Sequence, residues 1–182
     1  MRVLGKPPKI LFFKKHIDNL FKSLKVYKIN KKNIKKNILN LIKLNINKNI
    51  NHDHLFRVAV NNKMISVSLR KRIKPKLNFT LKLIDYKRID PEYKNLKYKK
   101  ILSYLKKMDT SKSDIALYKD NKILETGTSN LLFIKHNKIY TPTKGYYEGN
   151  TLKFFKRKIK KITKKDILVK DLKSYDEILL VG

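Results

Sequence analysis

The chain has 182 residues, of which 41% are hydrophobic, so it can fill the core of one ordinary domain or of two small ones. It contains no cysteine, which excludes a disulfide framework and thiolate metal sites and favours a reducing, cytoplasmic compartment. The net charge of +32 predicts non-specific binding to polyanions at low salt. Because the lysines are spread along the whole chain, a dedicated nucleic-acid interface is less favoured.

The first residues do not resemble a signal peptide, and no apolar run approaches the length of about 20 residues that crosses a bilayer. We therefore expect a soluble protein with no membrane association.

The first half of this protein is expected to combine short strands with two helices. Residues 2–13 read as a hairpin around the break at residues 5–8.

Apolar residues recur at helical spacing in two segments of the first half. The first segment covers residues 16–24 and presents Ile17, Leu20, Phe21 and Leu24 on one face. A second helix is predicted after Asn30, with a buried stripe formed by Ile34, Ile38, Leu41 and Ile42.

Three strands are predicted next, at residues 55–60, 64–69 and 79–84. The Asn61-Asn62 turn predicts that the first two of them form an antiparallel pair. The segment at residues 86–98 is polar and contains a proline, as is typical of a linker. We therefore expect a first α/β domain at residues 1–86, a linker at residues 87–96 and a second domain at residues 97–182.

The second half is expected to be richer in strands. A short helix at residues 97–107 precedes two strands that are joined by a turn at residues 120–121. A later helix, capped by Asn150 or Thr151, has an apolar face of Leu152, Phe155, Ile159 and Ile162. Further strands are predicted at residues 131–134, 138–140 and 167–169. The predicted fold class is therefore α+β.

One segment between two apolar strands carries a candidate functional group. Glu125 opens a turn of small residues that ends at Asn130. By itself this pattern is compatible with a solvated glutamate in an ordinary loop. A lysine precedes it at the opening of the second half, and Gly-Asn-Thr at residues 149–151 starts a helix whose N–H groups and dipole attract anions.

A nucleophilic lysine, an acid that faces a pyridine nitrogen and a phosphate cradle are the three parts that a pyridoxal phosphate (PLP) enzyme needs. In so lysine-rich a chain, this order of residues indicates little without further support.

The sequence offers even less support for other kinds of catalytic or metal site. His52 and His54 have no carboxylate cluster near them in sequence, so we predict no metal site, and neither a Gly-rich phosphate loop nor a Gly-x-Ser-x-Gly elbow occurs.

The chain resembles the class IV aminotransferase family, which includes branched-chain aminotransferases, D-amino acid aminotransferase and aminodeoxychorismate lyase. The resemblance lies in Glu-Thr-Gly-Thr-Ser-Asn at residues 125–130, Ile-Tyr-Thr-Pro at 139–142, Gly-Asn-Thr at 149–151 and the segment 171–182. The first half resembles the family in Met-Arg-Val at residues 1–3, His-Ile-Asp-Asn-Leu at 16–20 and Phe-Arg-Val at 56–58.

This resemblance covers nearly the whole chain and implies a fold-type IV PLP-dependent enzyme. Such an enzyme has an α/β domain and a β-rich, barrel-like second domain, and it forms a homodimer. Its substrate would be an amino acid, in transamination of branched-chain type, or aminodeoxychorismate, in a lyase reaction. The sequence leaves both reactions open.

The resemblance also implies roles for individual residues. Lys97 best matches the Schiff-base lysine, and Lys94 is the alternative because the family's spacing to the glutamate is somewhat longer. Glu125 matches the partner of the pyridine nitrogen. Asn150 and Thr151 match the phosphate-binding helix start.

Arg57 matches a strand arginine that lies by the substrate carboxylate in branched-chain members. Asn19 stands where the family has an arginine that grips the cofactor phosphate, and an uncharged amide cannot replace that contact. The chain also lacks the strands that usually precede its first segment and those that usually follow Gly182. We therefore expect a fragment or a reduced member of the family, and the rival hypotheses are a catalytically degenerate member and a basic nucleic-acid-binding module.

Overall fold

A computed structural model describes residues 1–159 and 161–182 of the chain. The chain divides into two compact units, Met1–Ile73 and Lys74–Gly182. Both units mix helices and strands, in agreement with the predicted α+β class. Among the described residues, no helix has the length and apolar character that crossing a membrane requires.

The first unit contains a four-stranded antiparallel sheet and two helices. The strands lie in the order β2-β1-β3-β4, with β1 and β2 forming the hairpin expected at the start of the chain. The helices α1 and α2 connect β2 to β3. The bounds of these elements are β1 (Arg2–Gly5), β2 (Lys9–Ile10), α1 (Phe13–Val26), α2 (Ile34–Asn45), β3 (His52–Val60) and β4 (Ile65–Lys71).

The predicted apolar stripes account for how these helices pack. In α1, Ile17 and Leu24 are buried, whereas Phe21 is 41% exposed, so the buried face is narrower than predicted. In α2, Ile34 and Ile38 are buried. The helix begins at Ile34, one turn later than the sequence suggested, because the chain first passes through left-handed backbone at residue 33.

The second unit begins with a three-stranded sheet in the order β5-β6-β7. Its strands are β5 (Thr80–Asp85), β6 (Ser113–Lys119) and β7 (Lys122–Thr126), and helix α3 (Lys99–Leu105) lies in the connection from β5 to β6. Strands β5 and β6 are parallel, so a crossover is required between them. Strands β6 and β7 form the predicted hairpin, whose turn residues Asp120 and Asn121 both have positive φ, as a type I′ turn requires.

Because β5 pairs with β6, the boundary between the two units differs from the domain boundary that the sequence predicted. The sequence placed residues 79–84 in the first domain and a linker at residues 87–96, but β5 belongs to the second unit because its ladder runs along β6. The division falls after Ile73 instead. The segment predicted as a linker is therefore part of the second unit.

A second sheet in this unit has the order β10-β9-β8-β11. The bounds are β8 (Asn130–Lys135), β9 (Lys138–Thr141), α4 (Asn150–Lys158), β10 (Ile162–Lys164) and β11 (Glu177–Val181). The strand predicted at residues 167–169 is replaced by a 3-10 helix, Val169–Ser174. The helix predicted through Ile162 ends at Lys158, and Lys160 lies outside the described residues.

Apolar residues from different elements form the core of the second unit. One cluster joins Ile123 of β7 to Leu131 and Phe133 of β8, and another places Leu152 of α4 against Leu132. Full burial of a side chain of this size contributes roughly 1.5–3 kcal/mol. In the described part of the chain neither sheet closes on itself, so the expected barrel-like arrangement takes the form of two open sheets.

Candidate active site

Glu125 is a buried carboxylate near the end of β7, paired in register with Leu117 of β6. Only 5% of its surface is exposed. Residues 123–126 are all buried, so side chains on both faces of this strand are enclosed. Glu125 is therefore not the solvated loop glutamate that the sequence of this segment, taken alone, also allowed.

Two groups approach the Glu125 carboxylate. Arg88 Nη2 lies 3.0 Å from Oε1 and 3.4 Å from Oε2, and the backbone N–H of Tyr147 donates to Oε2 across 3.2 Å. Oε1 is buried and accepts no hydrogen bond from any residue that the structure describes. Burial raises the pKa of Glu125 to about 7, although Arg88, the Tyr147 N–H group and Lys94 act in the opposite direction.

Arg88 is a site residue that the sequence interpretation missed. Its side chain is 12% exposed, and Nη2 also donates to the backbone oxygen of Pro91 across 2.8 Å. The residue lies in the segment predicted as a linker. One signal was available, because an arginine retained in a chain this rich in lysine is typical of a position where the guanidinium group itself is needed.

Lys94 lies within electrostatic range of Glu125 and shares Tyr147 with it as a neighbour. The Lys94 Nζ atom lies 4.5 Å from the centre of the Tyr147 ring. Dense packing of protein atoms lowers the pKa of Lys94, the positive charge of Arg88 lowers it further, and Glu125 acts in the opposite direction. The side chain nevertheless keeps exposed surface, so Lys94 combines a protein-lined environment with access from solvent.

Lys97, the first choice for the Schiff-base role, has a different environment. Its side chain is 54% exposed, and Nζ lies 3.4 Å from Asp90 Oδ2. The backbone N–H of Lys97 donates to Asn95 Oδ1 across 2.9 Å. Both lysines have exposed side chains, but Lys94 lies against Tyr147, whose N–H group donates to Glu125, whereas Lys97 lies near Asp90.

Asn130 connects the strand after Glu125 to the loop before α4. Its Nδ2 donates to the Tyr147 backbone oxygen across 2.7 Å, and its Oδ1 accepts from the Gly149 N–H across 2.9 Å. The residue is buried, with 4% of its surface exposed. One amide side chain thus holds both Tyr147, the residue whose N–H group binds Glu125, and Gly149, the residue that precedes the helix.

A buried aspartate holds the turn between Glu125 and Asn130. Asp114 Oδ2 accepts hydrogen bonds from Thr126 Oγ1 at 2.8 Å and Thr128 Oγ1 at 2.7 Å. A Cβ atom at Gly127 would lie 2.8 Å from Asp114 Oδ1, so the glycine permits this close approach. Glycine at position 127 is therefore required for the packing of this turn, and Asp114 is a second position that sequence interpretation did not connect to the site.

Helix α4 begins at Asn150, as predicted, but the residue that caps it is Gly149 rather than Asn150 or Thr151. Asn150 is buried, and Thr151 Oγ1 donates to the Gly182 oxygen across 3.0 Å. The N–H groups of the first helical turn point away from the helix body and, together with the helix dipole, form a favourable environment for an anion.

The whole chain matches the family model described as amino-transferase class IV, over residues 1–182. The chain belongs to the class IV aminotransferase family. The resemblance seen in the motifs is thereby confirmed. No curated protein sequence matches the chain.

Solved structures of class IV aminotransferases and related lyases have the same fold. A candidate 4-amino-4-deoxychorismate lyase from Haemophilus somnus 129PT is 23% identical, with a TM-score of 0.71, and the match covers 100% of this chain and 93% of that one. The branched-chain aminotransferase of Thermoproteus uzoniensis, solved with norvaline, is 14% identical, with a TM-score of 0.79 and coverage of 100% and 72%. The PLP form of the branched-chain aminotransferase from Thermobaculum terrenum is 15% identical, with a TM-score of 0.73 and coverage of 100% and 71%. The fold of this class IV chain is that of the fold-type IV PLP-dependent enzymes.

Two of the residues whose roles were predicted from the family resemblance, Arg57 and Asn19, lie in the first unit. Arg57 is an exposed residue of β3, paired in register with Ser68 of β4. Asn19 lies on α1, and its backbone oxygen accepts a hydrogen bond from Ser23 Oγ across 3.1 Å. The roles of both residues remain predictions.

Proposed function

We propose that this protein is a PLP-dependent enzyme that acts on the amino group of a small molecule, either by transamination or as an aminodeoxychorismate lyase. The observation that carries the proposal is that Glu125 and Lys94 share Tyr147 as a neighbour and influence each other's charge. A buried carboxylate with an oxygen that accepts no hydrogen bond from the described residues stands beside a lysine of lowered pKa. Neighbouring ionisable groups whose pKa values are strongly shifted are typical of catalytic sites.

The residues present fit PLP. Glu125 Oε1 forms an ion pair with Arg88 Nη2 at 3.0 Å but accepts no well-directed hydrogen bond from the described residues, and a protonated pyridine nitrogen would supply one. When bound, PLP supplies an electron sink for bonds at the carbon that bears the substrate amino group. A charged Glu125 would keep the pyridine nitrogen protonated, because the neighbouring negative charge favours the cationic form.

Lys94 would bind the aldehyde carbon of the cofactor through Nζ. A lysine must lose its proton to act as a nucleophile, and the protein atoms packed around Lys94 together with the charge of Arg88 lower the pKa of Lys94 in the required direction. As a free amine, the same group could hold and return a proton at Nζ. We therefore assign to Lys94 the role that the motif comparison gave first to Lys97.

The start of α4 would hold the cofactor phosphate. Asn150 and Thr151 supply the first N–H groups of this helix, and Asn130 fixes the preceding residue, Gly149. Asn19 brings no positive charge, so we expect PLP to be bound more weakly than by relatives that have an arginine at this position.

From the family resemblance alone, we propose that Arg57 binds the substrate carboxylate. Branched-chain amino acids and aminodeoxychorismate both carry a carboxylate, so this residue does not distinguish transamination from the lyase reaction. Two assays do so: transfer of an amino group from a branched-chain amino acid to a 2-oxo acid, and release of 4-aminobenzoate from aminodeoxychorismate. We propose that the active form is a cytoplasmic homodimer, as the family resemblance implies.

The central test is an absorbance scan of the purified full chain with added PLP, before and after borohydride, followed by peptide mapping. We expect a PLP–protein absorbance band and reduction of the cofactor onto Lys94. A spectrum of free PLP, without a labelled lysine or with labels scattered over many lysines, would overturn the enzyme proposal and favour the catalytically degenerate alternative.

Binding of polyanions at low salt is a second proposed property. It rests on the net charge of +32 and on an open hollow of about 560 Å³ in the first unit, whose rim carries Lys31, Lys32 and Lys63. Lysine side chains attract phosphate groups without reading sequence. This binding is independent of the proposed reaction.

A further inference from the structure

The guanidinium group of Arg88 links the segment that carries Lys94 to the strand that carries Glu125. Its Nη2 atom lies 2.8 Å from the Pro91 oxygen and 3.0 Å from Glu125 Oε1. Pro91 is buried and lies midway between Arg88 and Lys94 in sequence. One side chain therefore holds both the turn before the lysine and the carboxylate.

The segment around Lys94 is braced by a second side chain. Asn95 Nδ2 donates to the Ile89 oxygen across 2.9 Å. Together with the bond from Arg88 to the Pro91 oxygen, this contact closes the segment on itself at two places. A loop that is held in this way can present Lys94 in a defined position without being part of a helix or strand.

The charges around the two reacting groups are few and can be named. Glu125 is faced by Arg88, by Lys94 and by the Tyr147 N–H group. Lys94 is faced by Arg88, by Glu125 and by the Tyr147 ring. Arg88 is the member of this set whose positive charge acts on both groups, and an arginine is always protonated at the pH values where enzymes work.

Resting on the proposed function, we propose that Arg88 is a positioning residue that fixes the Lys94 segment against Glu125 and favours a charged Glu125 beside an uncharged Lys94. This state is the one that PLP needs, because the pyridine nitrogen requires an anion and the aldehyde requires a free amine. Without Arg88, Glu125 would lose the cation that lies 3.0 Å from its Oε1, and the unfavourable burial of its charge would weigh more heavily.

The experiment measures Lys94 in the absence of cofactor. Reductive methylation with formaldehyde over a range of pH, followed by peptide mass spectrometry, reports the fraction of Lys94 that is uncharged. We compare the wild type with Arg88→Gln, Arg88→Lys and the matched control Arg157→Gln, which removes an exposed arginine of the same unit.

We expect the pH at which Lys94 methylation reaches half of its maximal rate (the midpoint) to be higher in Arg88→Gln than in the wild type. Methylation of Lys94 at neutral pH should be several-fold slower in this variant. Arg88→Lys should lie nearer the wild type, and Arg157→Gln should match it. Because Arg88→Gln leaves Glu125 unpaired and could unfold the site, the double variant Arg88→Gln/Glu125→Gln is measured as well. Its midpoint should also lie above that of the wild type, because Arg88 affects Lys94 more strongly than Glu125 does.

Two experimental outcomes would show whether the inference about Arg88 or the proposed enzyme function is the one that fails. If the folded Arg88→Gln and double variants methylate Lys94 as the wild type does, Arg88 does not set the state of Lys94, and the inference fails even if PLP is trapped on Lys94. If the midpoint moves as expected but wild-type protein traps no PLP, Arg88 has the proposed influence and the enzyme proposal fails instead.

Discussion

Tyr147 donates its backbone N–H to Glu125 Oε2 across 3.2 Å, while its ring lies 4.5 Å from Lys94 Nζ. One residue of the loop before α4 thus contacts both the acid and the lysine of the proposed site. Its backbone oxygen accepts a hydrogen bond from Asn130 at 2.7 Å, which helps to hold the backbone of Tyr147 in place. The loop is therefore a structural part of the site and not only a connection between strand and helix.

Replacing Lys94 by alanine should abolish covalent attachment of PLP and lower any turnover by at least about 10²-fold, because both the nucleophile and the proton carrier are lost. Borohydride reduction followed by peptide mapping checks the attachment. The matched control is Lys97→Ala, which removes a half-exposed lysine of the same segment and should retain both properties. Loss of labelling in Lys97→Ala with retention in Lys94→Ala would return the role to Lys97.

Glu125 should make the stability of the cofactor-free protein depend on pH. Its pKa is raised from 4.5 to about 7 by burial, so the folded state holds a proton that the unfolded state has released. The contribution is fully present below about pH 4.5, is lost as pH rises to about 7, and is constant above that. At about 1.4 kcal/mol per pKa unit, the total loss is roughly 3 kcal/mol.

Urea unfolding of wild type and Glu125→Gln between pH 4.5 and pH 8 checks this dependence. The free energy of unfolding of the wild type should fall relative to that of the variant up to about pH 7, after which the difference should stay level. Parallel curves for the two proteins over this range would mean that Glu125 ionises normally in the fold.

Asn130→Ala should destabilise the second unit and weaken PLP binding. The substitution leaves the Tyr147 oxygen and the Gly149 N–H without their partner, at a cost of about 1–3 kcal/mol for each group that stays buried. Chemical unfolding and a PLP titration measure the two effects. Asn62→Ala, in an exposed turn, is the control, and equal behaviour of the two variants would contradict the connecting role of Asn130.

Asn19→Arg should strengthen PLP binding if α1 serves the phosphate as it does in the family pattern. A charge-assisted bond contributes about 1.5–3 kcal/mol, which corresponds to roughly 10- to 100-fold in affinity. Asn19→Gln keeps an uncharged amide and should bind PLP as the wild type does. Equal affinities of the arginine and glutamine variants would show that this position does not contact the phosphate.

Binding to duplex DNA should depend steeply on salt and weakly on sequence. If 6–10 phosphates are neutralised, affinity should fall by about 10³- to 10⁵-fold between 50 mM and 200 mM salt. Fluorescence anisotropy with two unrelated duplexes of equal length measures both properties. A strong preference for one duplex that persists at high salt would instead support the nucleic-acid-binding alternative.

Local patterns determined much of the fold. Apolar spacing predicted α1 and α2, and the Asn61-Asn62 and Asp120-Asn121 turns predicted two hairpins, because turn geometry and helical periodicity depend on residues close in sequence. The parallel pairing of β5 with β6 was not predicted, since it joins strands separated by a helix and carries no local signal. The domain boundary was misplaced for the same reason.

The sequence by itself determined the family, through the order and spacing of its motifs along the chain, and it singled out Glu125 as the candidate acid of the proposed site. Only the tertiary structure distinguished Lys94 from Lys97, because the two lysines have similar sequence surroundings and differ in what packs around their amino groups. Arg88 likewise acquires its role through a contact with Glu125, 37 residues away. Burial and distance between remote residues set ionisation, and neither is encoded at a single position.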